Sequence, residues 1–483
     1  MRGVVAAGNS HTAAAGARIL EEGGNAVDAA VAAAIACFSA EPLLTSAGGA
    51  GIMLVLRPGE DPIAIDFFSA FPGAGGRPER VDFHAIEVDF GSARQVFHVG
   101  RGAAAVPLAL DGLATAARRF GTLELPQLTA PGVELAREGV ILDAITARTF
   151  ELLWPILCRD RGCWEEIAEG LTGDRPPRAG ERLRNRKLAA TLESFAALGR
   201  TPPQVREGLL AEFGPARGGM ISAADLDAAA VSVGAPHCFA IGDWQVATSP
   251  RLGGRLVGMI SEELALASIA ADEAEEVLRR ARASRAGHRA RTGLPPATRG
   301  STTHISVVDE AGGAASVTLT SGEGCGHVVS GTGVHINNFL GEEDLNPIGF
   351  HLHRPGDALP TMIAPTLAVH RDGRVISLGS GGANRIRSAV SQVLHGLLCA
   401  ALPLEQAVAA PRVHGEDEGV WVELGERRDP EAIRAALAGE FPAVHGFASC
   451  DFFFGGVHVA ARGATGELAG VGDARRAGAV ARA

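Results

Sequence analysis

Gly300-Ser-Thr302-Thr-His-Ile-Ser-Val-Val308-Asp-Glu-Ala-Gly-Gly-Ala314-Ala-Ser-Val-Thr-Leu-Thr320 carries the pattern on which the fold turns. Thr302 to Val308 and Ala314 to Thr320 are rich in β-branched side chains, and Asp309-Glu-Ala-Gly-Gly313 between them is a turn sequence, so the spacing predicts a hairpin. With a symmetric turn Val308 faces Ala314, and counting back along both antiparallel strands puts Thr302 opposite Thr320, two hydroxyls side by side. A threonine hydroxyl is a weak nucleophile unless a base takes its proton; an N-terminal threonine supplies that base itself, through an α-amine with a pKa of about 8. The Ser301–Thr302 junction is therefore a candidate cleavage site, with the Thr302 hydroxyl attacking the Ser301 carbonyl and the resulting ester being hydrolysed. On spacing alone, Thr-Thr at the start of a strand reads first as an ordinary β sequence.

Working outward, Arg279 to Gly300 is rich in Arg, Gly and Pro without apolar periodicity, and 279–301 reads as an exposed flexible segment. From about 112 to 273 helical patterns dominate, among them Glu134 to Glu138 and Leu188 to Ala197, and predict a helical lobe. Near the start, Ala13, Ala17 and Leu20 share one helical face, Gly23-Gly24 ends that helix, and Asn25 to Phe38 reads as a second helix buried on most sides. Strands are expected at Ile52 to Leu56, Ile63 to Phe68, Thr366 to His370 and Val375 to Leu378, with a helix from Arg385 to about Ala400. The predicted class is α+β, sheets covered by helices.

The chain has 483 residues with 46% hydrophobic and 20% charged, a composition that excludes wholesale disorder. A net charge of −11 with Lys187 as the single lysine gives no support for a nucleic-acid partner. The apolar run Ala29 to Phe38 is far short of a membrane span, and Met1-Arg2-Gly3 opens no secretory signal pattern, so no membrane partner and a cytoplasmic location are expected. Seven scattered cysteines without C-x-x-C spacing suit reduced thiols. His351-Leu-His353 lacks a completing ligand motif, and neither G-x-G-x-x-G nor G-x-S-x-G occurs, so no metal and no cofactor are expected.

Several motifs together resemble the γ-glutamyltranspeptidase family. They are Gly23-Gly24-Asn25-Ala-Val-Asp-Ala-Ala-Val-Ala-Ala-Ala34, Gly48-Gly-Ala-Gly51, Pro250-Arg-Leu-Gly-Gly254, Thr302-Thr-His-Ile-Ser-Val-Val-Asp309, Gly331-Thr-Gly-Val-His-Ile-Asn-Asn338, Gly379-Ser-Gly-Gly-Ala-Asn-Arg-Ile386 and Ala410-Pro-Arg-Val-His414. They follow the family's order across nearly the whole chain. The resemblance implies an N-terminal-nucleophile hydrolase fold, a four-layer αββα sandwich with an added helical lobe. It implies a precursor that cleaves itself into a large subunit, 1–301, and a small subunit, 302–483, and hydrolysis or transfer of γ-glutamyl groups from glutathione-like amides through an acyl-enzyme on Thr302. No cofactor is implied; the partners are a small-molecule amide and the two subunits of one precursor.

Carried over residue by residue, the resemblance makes Thr302 the nucleophile and Thr320 its hydroxyl partner. The oxyanion turn falls on Gly381, Gly382 and Ala383, with either Gly381-Gly382 or Gly382-Ala383 as the donor pair. Arg101 falls near the family's α-carboxylate ligand, Glu342 where an acidic residue binds the α-ammonium, with its neighbours Glu343 and Asp344 as alternatives, and Thr361 where a hydroxyl reaches the carboxylate. Three departures bear on substrate. The family's ammonium-binding asparagine is missing, with two residues deleted after Thr320 and Gly322-Glu323 standing nearby, Pro360-Thr361-Met362 replaces a serine pair before methionine, and Asn338 to Leu359 is shorter than in relatives with a lid. Alternatives therefore stay open: an amidohydrolase of this fold with a different acyl group, cephalosporin-acylase-like or γ-polyglutamate-processing, or a non-catalytic ligand-binding relative.

Overall fold

The computed structural model of the chain describes residues 1–89, 94–171, 175–266, 270, 272–291, 301–425 and 427–483. Its centre is the expected hairpin, Thr303–Asp309 paired with Ala314–Thr320, with Val308 opposite Ala314 and Thr303 opposite Leu319. That register, continued by one residue, puts Thr302 opposite Thr320 as the sequence spacing predicts. Around the hairpin a seven-stranded sheet runs from edge to edge through Ala479–Arg482, Gly3–Ala7, Thr303–Asp309, Ala314–Thr320, Ala50–Leu56, Ile63–Phe67 and Ser232–Gly234. A second, six-stranded sheet runs through Leu468–Val471, Gly456–Arg462, Val375–Gly381, Thr366–His370, Trp244–Thr248 and His237–Ile241.

Period-2 alternation along the hairpin decides what faces what. Ile305, Val307, Val317 and Leu319 point to a core shared with the helices Ser10–Glu21 and Ala26–Ala40, while His304, Ser306, Ser316 and Thr318 point to the other sheet. Small hydroxyl residues let the two sheets close together and bond across the gap: Ser306 Oγ donates to the His458 carbonyl at 3.1 Å, Ser316 Oγ to the Leu378 carbonyl at 3.0 Å, and Ser377 Oγ to the Ala315 carbonyl at 2.8 Å. His304 is enclosed between Thr318 Oγ1 at 2.8 Å and Ser306 Oγ at 2.9 Å, and burial holds its imidazole well below the ordinary histidine range. The helices Leu252–Leu266 and Arg385–Leu398 cover the outer face of the six-stranded sheet. The four layers are α, β, β and α, an α+β architecture.

The helix Ala26–Ala40 is buried along its whole length, as its alanine-rich sequence predicts. Asn25 starts it by accepting the Val27 and Asp28 N–H groups, and Asp28 returns to the Asn25 N–H, a reciprocal cap that explains Asn25 and Asp28 in the first motif.

Two expectations are corrected. The helical part expected over 112–273 ends at Ala223–Ala228, and within it Leu125–Glu138 packs on Ala26–Ala40; beyond it Ser232–Gly234 is the edge strand of the first sheet, and His237–Ile241 and Trp244–Thr248 belong to the second. The beginning of the segment expected to be flexible is the helix Glu273–Arg289, on which Val277, Ala281, Ser284 and Gly287 form a buried stripe at helical spacing and Arg279 and Arg280 pair with Glu276. Residues 292–300 of that segment lie outside the described residues.

Candidate active site

Thr302 enters the hairpin at the end of the sandwich where Val375–Gly381 runs out into the helix Arg385–Leu398. It is 4% exposed and lines a cavity with Ser301, Thr320, Glu342, Asp344, Thr361 and Ala383, closed on the apolar side by Phe68, Phe339 and Leu345. In the continuous chain the free volume is about 30 Å³, room for little more than a water molecule.

Thr320 Oγ1 donates to the Ser301 carbonyl oxygen at 2.5 Å and accepts the Gly322 N–H at 3.0 Å. The register thus delivers the Thr320 hydroxyl to the carbonyl that Thr302 would attack, rather than to the Thr302 hydroxyl. A donor on that oxygen withdraws electron density and stabilises the charge that develops there when the carbonyl carbon becomes tetrahedral. On the other side of Ser301, its N–H donates to Glu323 Oε1 at 3.0 Å, and Glu323 N–H donates to Asn338 Oδ1 at 3.0 Å. Ser301 is therefore held at both its carbonyl and its N–H.

The turn after Val375–Gly381 packs directly under Thr302. A β-carbon at Gly381 would lie 2.1 Å from the Thr302 carbonyl oxygen, so only glycine permits this approach, and Gly382 has φ +120°, open to glycine alone. Ala383 follows at φ +48° and is the member of the three that lines the cavity. Beneath the turn, buried Arg476 reaches the Thr302 carbonyl with Nη1 at 3.5 Å while its guanidinium stacks on Phe452 at 3.8 Å. On the neighbouring strand residue, Thr303 Oγ1 donates to Glu41 Oε2 at 2.5 Å and Thr12 Oγ1 donates to Glu41 Oε1 at 2.7 Å. Burial pushes the Glu41 carboxyl up to about 7 against those two donors.

Of the residues expected to bind substrate, Glu342 and Thr361 line the cavity; Arg101 is not among its lining residues. Arg101 is turned to a separate cluster, with Nη1 3.4 Å from both Asp82 Oδ2 and His327 Nε2 and Nη2 3.9 Å from Asp160 Oδ2. Thr361 Oγ1 accepts the Ile363 N–H at 3.3 Å, leaving its proton free to donate. Burial beside Glu323 and Asp344 drives the Glu342 carboxyl well above the usual carboxylate range, and burial does the same to Glu323. Asp344 is paired with buried Arg291 at 2.8 Å.

Sequence reasoning missed Glu41, Glu323 as a holder of Ser301, and Arg476. A signal existed only for Glu323, which stands near the point where the asparagine of the γ-glutamyltranspeptidase pattern is missing. Among the described residues no group of three or more His, Cys, Asp or Glu side chains is arranged to hold a metal ion, and no helix is long and apolar enough to cross a membrane.

Comparison with known proteins bears on the same arrangement. The family profile described as Gamma-glutamyltranspeptidase matches residues 12–264 and 257–483. The chain is 30% identical to the Acylase ACY 1 proenzyme of Pseudomonas sp. (strain SE83), covering 90% of this chain and 86% of that protein. It is 29% identical to the Glutathione hydrolase proenzyme of Pseudomonas aeruginosa, covering 85% of this chain and 82% of that protein. Among solved structures, cephalosporin acylase from Bacillus halodurans superposes with a TM-score of 0.84 at 22% identity over 99% of this chain and 95% of that one, a likeness of fold. Matched from end to end, and with the threonine pair, the glycine turn and Glu342 gathered around one bond of the chain, this protein belongs to the γ-glutamyltranspeptidase family.

Proposed function

We propose that the protein is a self-processing N-terminal-threonine enzyme that hydrolyses or transfers the acyl group of γ-glutamyl-type amides. The observation that carries this reading is the Ser301 carbonyl, hydrogen-bonded by Thr320 Oγ1 at 2.5 Å beside the Thr302 side chain. In processing, Thr302 Oγ attacks the Ser301 carbonyl carbon and the C–N bond breaks; the acyl group moves to oxygen and the nitrogen becomes a free α-amine. Water then cleaves the ester, giving the fragments 1–301 and 302–483 as the paired subunits.

In turnover the α-amine of Thr302 takes the hydroxyl proton as Oγ attacks the substrate amide carbon, and it returns that proton to the departing amine. N–H groups of the turn at Gly381, Gly382 and Ala383 are the donors for the tetrahedral oxyanion, and Thr320 Oγ1 is a further one. Water or an amine acceptor resolves the acyl-enzyme. Glu342 receives the substrate ammonium and Thr361 donates to its carboxylate. Because the site of the continuous chain is nearly full, the substrate acyl group takes the space that Ser301 vacates.

A second reading, an acylase of the same mechanism with a different acyl group, is supported by the relative named Acylase ACY 1 proenzyme and by the departures at Glu323 and Pro360-Thr361. Hydrolysis of γ-glutamyl p-nitroanilide, with a transient γ-glutamyl mass on the 302–483 fragment, is expected from the first reading. Cleavage of acyl anilides without any γ-glutamyl turnover favours the second.

A further inference from the structure

The charges around the cavity are lopsided. The charged side chains that line it are Glu342 and Asp344, both acids, and no arginine, histidine or lysine is among the described lining residues. Every nearby described cation already has partners. Arg251, stacked behind Phe68 at 5.5 Å, donates to Asp66 at 2.6 Å and to the Leu359 carbonyl at 2.7 Å. Arg291 holds Asp344 through Nη2 and keeps Nε and Nη1, which have no partner among the described residues, outside the lining, Arg476 reaches the Thr302 carbonyl under the turn, and Arg101 is bound up with Asp82, Asp160 and His327. Among the lining side chains, apart from Ser301 and the threonine pair, one neutral hydroxyl, that of Thr361, is left to meet a substrate carboxylate.

The acidic side, in contrast, has acceptors to spare. Among the described residues the Glu342 side chain has no hydrogen-bond or ion-pair partner. Glu323, 2% exposed, keeps Oε2 without a partner while Oε1 takes the Ser301 N–H. Glu342 Oε1 and Asn338 Oδ1 converge on the same point, each 2.1 Å from where a β-carbon of Gly322 would be, which keeps that edge open only because residue 322 is glycine at φ +59°. The chain's own acyl residue, Ser301, is thus already received in this pocket by an N–H donor on a carboxylate.

We infer that the acyl subsite selects a substrate by its ammonium group and leaves the adjacent carboxylate optional, so that amides of ω-amino acids, 4-aminobutyryl amides in particular, are substrates alongside γ-glutamyl ones. This rests on the enzymatic reading above. A 4-aminobutyryl group is a γ-glutamyl group without its α-carboxylate: the amine stands the same number of bonds from the scissile carbonyl. A carboxylate desolvated in this pocket has one hydroxyl donor and faces Glu342, with Asp344 already paired to Arg291, whereas an ammonium meets Glu342 directly.

The test uses four p-nitroanilides on the processed full-length protein: γ-glutamyl, 4-aminobutyryl, glutaryl (carboxylate without amine) and butyryl (neither). The expected kcat/KM for 4-aminobutyryl is within about 5-fold of γ-glutamyl, and that for glutaryl lower than either by about 100-fold, the scale of one buried charge left unpaired. Glu342→Gln should shrink the 4-aminobutyryl to butyryl ratio by about 10-fold or more. A chain cut at Ser301/Thr302 that prefers glutaryl, or that loses about 100-fold on removal of the α-carboxylate alone, overturns the inference and leaves the enzymatic reading standing. An uncut chain that turns over none of the four overturns both.

Discussion

The two halves of the site are built differently. The half that holds the proposed nucleophile, Thr302 with Thr320, Gly381 and Gly382, is fixed by strand register and by backbone approach. Each residue sits where the sandwich itself puts it, and the decisive distances, 2.5 Å from Thr320 Oγ1 to the Ser301 carbonyl and 2.1 Å from a Gly381 β-carbon to the Thr302 carbonyl, leave no latitude. The half proposed to receive the acyl group, with Glu323, Glu342, Asp344 and Thr361, lies on the connections between strands, where a side chain can change without disturbing a sheet. On the proposed roles, the contrast teaches that the chemistry is tied to the core while specificity is carried by loops.

Breaking the nucleophile half should have the largest effect: Thr302→Ala is expected to lower anilide hydrolysis by about 10⁴-fold or more with the melting temperature nearly unchanged. Thr320→Val, which deletes the donor to the Ser301 carbonyl and keeps the shape, should slow processing by about 10²-fold, followed as the decay of full-length chain on a gel. In the other half, Arg101→Ala should change kcat/KM for a γ-glutamyl anilide by less than about 5-fold, because its guanidinium is spent on Asp82, Asp160 and His327. A loss of about 100-fold would return Arg101 to the substrate carboxylate and blur the contrast drawn here.

The smallest effect concerns Glu41, beneath Thr303. Its carboxyl is held at about 7 when folded against an ordinary 4.5, so the folded state keeps a proton that the unfolded chain has already lost in that interval. Stability from this group is full below about pH 4.5 and falls as pH rises through about 7. Relative to Glu41→Gln, which cannot ionise, the wild type should lose about 2–4 °C of melting temperature between pH 5 and pH 8 and show no further change above it.

The same contrast explains what was legible in the sequence. The hairpin register followed from counting residues across a five-residue turn, because pairing in a sheet is a local, period-2 property. The buried second helix followed from its unbroken alanine-rich run and its Asn25/Asp28 cap. Arg101 was misleading because its partners lie at positions 82, 160 and 327, and nothing in its neighbourhood of sequence encodes them. Glu41 and Arg476 were silent for the same reason: one is bonded to residues 12 and 303, the other packs against Phe452 and the Thr302 carbonyl, so their roles exist only once distant segments meet. The helix Glu273–Arg289 was hidden by its Arg-rich composition, although Val277, Ala281, Ser284 and Gly287 already carried helical spacing with side chains too small to register as apolar periodicity.

The central claim is that the Ser301–Thr302 bond is poised for attack by Thr302 itself, and intact mass spectrometry of purified wild type beside Thr302→Ala tests it most directly. Two wild-type fragments whose masses meet at Ser301/Thr302, with the variant remaining a single 483-residue chain, is the predicted result. A folded wild type that stays uncut, or a variant that is cut at the same bond, would contradict it.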